Sequence, residues 1–128
     1  MANPLGWIQI PVVNCDRARE FYNDVFDWTL TFQPYGDNME MAVFPSDDEN
    51  PGAGGALVCQ PTAFEPSTTM GPLVYFICDD AGSAAERSER AGGRIEVPKT
   101  PSPDGKGYIS VVIDTEGNRI GFHSPGGK

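Results

Sequence analysis

Trp7-Ile8-Gln9-Ile10-Pro11-Val12-Val13, followed shortly by Asp16-Arg17-Ala18-Arg19-Glu20-Phe21-Tyr22, changes its hydrophobic period within a few residues. The first part is rich in β-branched and aromatic residues and reads as a strand. In the second part Ala18, Phe21, Tyr22, Val25 and Phe26 recur at helical spacing and share one apolar stripe. Asp16 stands where a helix cap is expected. Arg17 and Arg19 fall in the first turn, where the helix dipole disfavours cations. Burial of the stripe has to outweigh that small cost.

Working outward, three more strands are predicted at Trp28 to Gln33, Met39 to Phe44 and Gly55 to Cys59. Turn formers separate them: Pro34-Tyr35-Gly36-Asp37-Asn38, then Pro45 through Gly54. A linker rich in Pro, Thr, Ser and Gly runs from Pro61 to Pro72. The order then starts again. Leu73 to Cys78 is an apolar strand, and Asp79-Asp80 opens a second helix, with Ser83 and Glu86 at capping-box spacing. Ala81, Ala84, Ala85, Ser88 and Ala91 give that helix a small-residue face, and Gly92-Gly93 ends it. Arg94 to Val97, Gly107 to Ile113 and Arg119 to His123 complete the strands. Thr115-Glu116-Gly117-Asn118 fits a tight hairpin connection. Lys99 to Lys106, with Pro98, Pro101 and Pro103 around it, reads as a proline-rich loop beside the mouth of the fold.

Ile8 to Phe32 and Leu73 to Val97 have equal length, and both read strand, helix, strand. Gly55 to Pro61 also lies over Arg119 to Pro125. These matches define an internal repeat, 6–61 and 72–125, within one domain spanning 1–128. Neither half has enough chain to close a core alone. The expected class is α+β: two βαβββ modules forming a cup-shaped, partly closed eight-stranded sheet with helices outside.

Composition narrows the function classes. The chain has 128 residues, 39% of them hydrophobic, which suits a compact domain. Its longest apolar runs are too short to cross a bilayer, and no secretory leader is expected from the N-terminal residues. A formal charge of -9 repels phosphate backbones and argues against nucleic acid as a partner. Acids such as the Asp47-Asp48-Glu49 run read as a solvated loop. Cys15, Cys59 and Cys78 are odd in number and lack CxxC spacing. They match neither a disulfide framework nor a zinc ribbon, and a reducing cytoplasm is the simplest setting.

Several phrases, taken in order, carry a resemblance. They are Ile10-Pro11-Val12 with Asp16-Arg17-Ala18 and Phe21-Tyr22, then Val25-Phe26-Asp27-Trp28, Gly54-Gly55-Ala56-Leu57 and Ala91-Gly92-Gly93. The last is Asp114-Thr115-Glu116-Gly117-Asn118-Arg119-Ile120-Gly121. Together they resemble the vicinal oxygen chelate superfamily, the relatives of glyoxalase, bleomycin resistance protein and extradiol dioxygenase. The phrase Phe26-Asp27-Trp28 departs from the pattern, having Asp27 where members often have glycine. The resemblance implies a homodimer and a divalent ion held by His or Glu on four strands. The matching positions are Trp7, Leu57, Leu73 and Gly121, and none of their side chains can ligate a metal.

Residues two positions along share a strand face. Gln9, Cys59, Tyr75 and His123 are therefore expected on the cavity face. One His and one Cys, with an amide and a phenol, form a poor donor set. No cofactor is expected, and a divalent metal is the less favoured alternative. His123 is the candidate general base or hydrogen-bonding group, beside the bland reading of a structural histidine. Cys59 is a candidate nucleophile only if a cation or helix end depresses its pKa, and a buried inert thiol is the favoured reading. Trp7, Phe32, Met41 and Tyr75, with Trp28 and Met39, could line an aromatic and thioether pocket; each taken singly reads as core.

Binding of a small aromatic or cationic molecule without metal ranks first among the functions. A lyase, isomerase or dioxygenase with an atypical active site ranks second. A dimeric interaction module with a side-chain-filled cavity ranks third.

Overall fold

The computed structural model describes residues 5–34, 40–46, 52–59 and 65–126. Met39, the Asp47-Asp48-Glu49 run and the first part of the linker lie outside them. Helix α1 (Cys15–Phe26) buries Ala18, Phe21, Tyr22 and Val25, the stripe read from the sequence. Its cap is Asn14, not Asp16. The Asn14 side chain accepts from Arg17 N at 3.0 Å, so the cap lies two residues before Asp16. At the other end Asp27 adopts φ 57°, and its N–H closes onto Asn23 O. This left-handed stop is usually filled by glycine. Helix α2 (Ala81–Arg90) is capped by Asp80, which accepts from Gly82 N and Ser83 N. Ser83 therefore lies inside the helix and does not begin a capping box.

The strands are β1 (Trp7–Pro11), β2 (Gln33–Pro34), β3 (Glu40–Val43), β4 (Gly54–Cys59), β5 (Val74–Ile77), β6 (Arg94–Pro101), β7 (Tyr108–Ile113) and β8 (Arg119–Ser124). They form two four-stranded sheets ordered β1-β4-β3-β2 and β5-β8-β7-β6. The repeated order, with β1∥β4 in one sheet and β5∥β8 in the other, is the duplicated βαβββ module expected. The sheets are not closed into a barrel.

Two strand boundaries differ from expectation. The segment from Trp28 to Phe32 does not pair, because other contacts claim it. Trp28 stacks on Phe26 with ring centroids 4.3 Å apart, and Leu30 N donates to Asn23 Oδ1 at 2.9 Å. Conversely, β6 continues to Pro101, so the first three residues of the expected proline loop, Lys99 to Pro101, are strand. β6 is an edge strand, and Pro98 falls within the register shift between Val97 and Thr100, the setting in which proline is tolerated.

One core serves both halves. Ile10, Val12, Leu57 and Ala42 of the first sheet, the α1 stripe, Ala81, Ala84 and Ala85 of α2, and Val112, Ile120 and Phe122 of the second sheet form one cluster. Phe76 joins the halves through ring contacts to Phe26 at 5.0 Å, Phe44 at 5.6 Å and Tyr22 at 6.1 Å.

The β7–β8 turn of the second half also reaches the start of α1. Glu116 accepts from Val13 N at 2.8 Å, Asn14 N at 2.7 Å and Arg17 Nε at 2.7 Å. Arg17 is thus engaged by a carboxylate, which offsets its unfavourable place in the helix dipole.

The cysteines also differ from expectation. Cys15 and Cys59 form a disulfide across a sequence separation of 44, and Cys78 is free. A single long-range pair leaves no spacing signature, and the argument from cysteine count to a reducing compartment loses its premise.

Candidate functional site

Strand alternation decides which side chains share a face. In β1∥β4, Trp7 lies beside Gly54, Gln9 beside Ala56, Ile10 beside Leu57 and Pro11 beside Val58. Ile10 and Leu57 belong to the core, so Trp7, Gln9, Ala56 and Val58 occupy the opposite face. In β5∥β8, Tyr75 lies beside Gly121, Phe76 beside Phe122 and Ile77 beside His123. Phe122 is core, so Tyr75, Gly121 and His123 face away from it.

This register corrects the expected cavity face on β4. Leu57 and Cys59 point to the core side, and the matching position is Ala56. The sequence superposition of β4 on β8 is one residue out of step, and such a slip turns every side chain to the other face. Cys59 bonds Cys15 at the start of α1, so it is neither a cavity residue nor a free nucleophile. Phe32 also leaves the expected pocket: it packs against the core, with the Arg19 guanidinium 6.0 Å from its ring centroid.

β1 and β5 are edge strands of their respective sheets. Between them lies a groove of about 520 Å³, to which Trp7, Gln9, Leu73 and Tyr75 all contribute, together with Met70 and Arg119. Three of the sequence-named residues, Trp7, Gln9 and Tyr75, therefore meet there. Trp7 is 48% exposed and Tyr75 42%. Met41 lies beside Val58 and shares the Gln9 face without lining the groove. His123 also stands outside it. Its Nε2 lies 2.9 Å from Lys106 O; a carbonyl only accepts, so Nε2 is the donor.

The two aromatic residues differ in how they meet the glycine beside them: Trp7 is in ordinary contact with Gly54, whereas Tyr75 occupies the space a side chain at 121 would need. A Cβ placed on Gly54 would meet the six-membered ring of Trp7 at 3.4 and 3.5 Å. One placed on Gly121 would collide with Tyr75, with Cγ at 3.0 Å and Cδ1 and Cε1 closer still. Contact with all three atoms at once means that the face of the ring, not its edge, lies over Gly121. Sequence reading named Gly121 as a lost ligand position but not as this close approach, although a glycine inside a strand is the signal for one. Arg119, loosely paired with Glu96 at 3.8 Å, was also missed. It lines both the groove and the adjoining hollow at Ser67–Leu73.

The metal question turns on donors. With the register corrected, the four strand positions are Trp7, Ala56, Leu73 and Gly121, and none carries a metal-binding side chain. Among the described residues no group of three or more His, Cys, Asp or Glu could hold an ion. These residues do not fit a divalent metal centre.

Arg119 and Glu65 are the ionisable residues that line the groove, and the buried ionisable groups behind Asn118 are committed to structure. Asn118, at its edge, donates to Pro11 O at 2.7 Å and to Asp114 Oδ2 at 3.2 Å. Asp114 also accepts from the Tyr22 hydroxyl at 2.7 Å. Burial pushes the Asp114 carboxyl above its ordinary pKa against the pull of these hydrogen bonds. Burial, then the nearby Asp114 charge, pushes the Tyr22 phenol well above its own. At Glu116 burial acts upward, but the hydrogen bonds from Arg17, Asn14, Thr115 and Val13 outweigh it and the pKa falls.

Solved structures show the same fold at low identity. Against glyoxalase I from Zea mays the TM-score is 0.64 at 19% identity, covering 93% of this chain and 45% of that one. The chain thus spans about half the length of that enzyme. A glyoxylase/bleomycin resistance protein/dioxygenase domain from Frankia sp. EAN1pec gives 0.70 at 17% identity, covering 95% and 97%. A member of the superfamily from Sphaerobacter thermophilus gives 0.68 at 20%, covering 95% and 97%. No curated protein sequence matches. Likeness at this identity speaks for the fold, and no helix among the described residues is long and apolar enough to cross a membrane. The model of the Glyoxalase/Bleomycin resistance protein/Dioxygenase superfamily matches residues 5–122, nearly the whole described chain, and the protein belongs to that superfamily.

Proposed function

We propose that the chain is a metal-independent binding protein that holds a small aromatic or cationic molecule in the groove between β1 and β5. One observation carries this reading: Trp7 and Gln9 from the first half and Leu73 and Tyr75 from the second line a single groove. A largely apolar cavity with a few polar groups is the usual form of a small-molecule site. Gln9 supplies an amide that can donate and accept, and Trp7 and Tyr75 supply π surfaces. The charge of -9 favours the approach of a cation over long range. Met41 and His123 extend the same strand faces beyond the groove. The chain acts as one domain and as a homodimer, since Val13 and Ile77 leave apolar surface exposed at 65% and 78% that a second copy would cover.

The test is a ligand-observed NMR screen of cationic, aromatic and thiol-conjugate compounds, run with EDTA and again with added zinc or manganese. Binding that persists in EDTA and weakens in Trp7→Ala is expected. Binding that demands the metal, or that ignores both Trp7→Ala and Tyr75→Ala, overturns the reading.

A further inference from the structure

We infer that Tyr75, seated on Gly121, is the specificity-determining element of the groove and selects flat, unsaturated rings over saturated molecules of the same size. The inference rests on the binding reading above. Its geometry is independent of that reading.

A side chain at 121 and the observed Tyr75 ring exclude one another, because the ring fills the space a Cβ would need. The strand position from which a metal-ligating side chain would project is thus doubly closed: glycine offers no donor, and an aromatic ring covers it. With one face against the bare backbone, the ring has its other face free. The residue lines the groove and keeps 42% of its surface exposed.

Trp7 offers a second π surface from the other sheet, at ordinary contact distance from its lateral neighbour Gly54, where a Cβ would meet the ring at 3.4 and 3.5 Å. Of the two rings, Tyr75 is the one seated on a glycine that a side chain could not replace. A ring held flat by the backbone loses little rotamer freedom when a ligand stacks on it, which favours affinity. A planar π system gains from both surfaces. A puckered ring of equal volume touches them with fewer atoms.

The probe pair is 2-naphthol and decahydro-2-naphthol, measured by calorimetry and ligand-observed NMR against the wild type, Tyr75→Phe, Tyr75→Ala, Gly121→Ala and the double variant Tyr75→Ala/Gly121→Ala. The wild type is expected to prefer the flat probe by roughly tenfold, the order of one aromatic contact. Tyr75→Phe should keep the preference, since the ring and not the hydroxyl provides it. Tyr75→Ala and Gly121→Ala should each lose it, the second by expelling the ring. The double variant should be no worse than Tyr75→Ala, because the added methyl then meets an empty space. That non-additivity separates ring expulsion from general damage to β8, and a melting curve accompanies each variant.

If the wild type binds both probes equally, or if Gly121→Ala keeps full preference, the inference fails while the groove reading stands. If the wild type binds neither probe, the groove reading falls and takes the inference with it.

Discussion

Replacing Glu116 by Gln tests the bracket that ties the second half to the start of α1. The wild-type carboxylate accepts from Val13 N, Asn14 N, Arg17 Nε at 2.7 Å, Arg17 Nη2 at 3.2 Å and Thr115 Oγ1 at 3.0 Å. A glutamine can turn its oxygen toward the two backbone N–H groups, but its NH₂ then faces the guanidinium and a hydroxyl donor. The Glu116 side chain is fully covered, whereas Arg17 is half exposed. The ion pair is therefore partly screened by solvent, and the larger part of the loss comes from the misplaced donor. We expect a cost of about 2–3 kcal/mol at neutral pH, a fall in Tm of roughly 8–12 °C for a domain of this size.

The pH dependence has a definite sign. The Glu116 pKa is depressed in the folded state, so its contribution is complete above the ordinary carboxylate pKa of 4.5 and fades as pH falls through the lower folded value. The gap between wild type and Glu116→Gln should accordingly be widest near pH 7 and close progressively in acid. Urea unfolding at pH 7, 5 and 3 measures it. A variant within 0.5 kcal/mol of wild type at pH 7, on the order of a neutral surface change, or a gap as wide at pH 3 as at pH 7, refutes the reasoning.

Tyr22→Phe removes one of the donors to Asp114 and should cost about 1–2 kcal/mol in urea unfolding; no measurable loss would show that the hydroxyl is dispensable. Reducing Cys15–Cys59, or replacing both cysteines by serine, should lower stability by about 2–4 kcal/mol for a loop of this length, read as a shift of the urea midpoint. Phe122→Ala, at a fully buried ring between the halves, should cost about 3–5 kcal/mol, again by urea unfolding. Zinc, nickel or manganese at millimolar concentration should leave the Tm unchanged, since a native-state ion would raise it by mass action; a rise of several degrees would mean that a donor set exists after all.

The architecture was legible because its signals are periodic. The helical stripe from Ala18 to Val25 and its small-residue counterpart from Ala81 to Ser88 give the two helices directly, and their spacing from the preceding strands gives the duplication. What escaped was information carried by a single residue step. Around Gly54-Gly55 nothing polar marks which parity faces inward, so sequence superposition sets β4 one residue off and Cys59 on the wrong side. Asn14 and Asp16 are both competent caps, and only the path of the chain chooses Asn14. The lengths of β2 and β6 depend on contacts that periodicity does not show: Asn23 and Phe26 claim the segment before β2 through a side-chain hydrogen bond and a ring stack, and pairing with β7 extends β6. Of the site, Trp7, Gln9 and Tyr75 are readable because residues two apart share a strand face, so counting two along from Trp7 and Leu73 reaches Gln9 and Tyr75. Arg119 and the Gly121 seat are not, because their roles arise only when two strands lie side by side.

The prolines of β6 reach beyond their own sheet. An outer strand with an intact row of amide donors is a template on which another chain can polymerise. Pro98 and Pro101 each delete a donor, and the register shifts twist the ladder out of line. That flank of the molecule is therefore a poor seed for fibres. Any ordered self-association must use side-chain surfaces or the other margins of the two sheets.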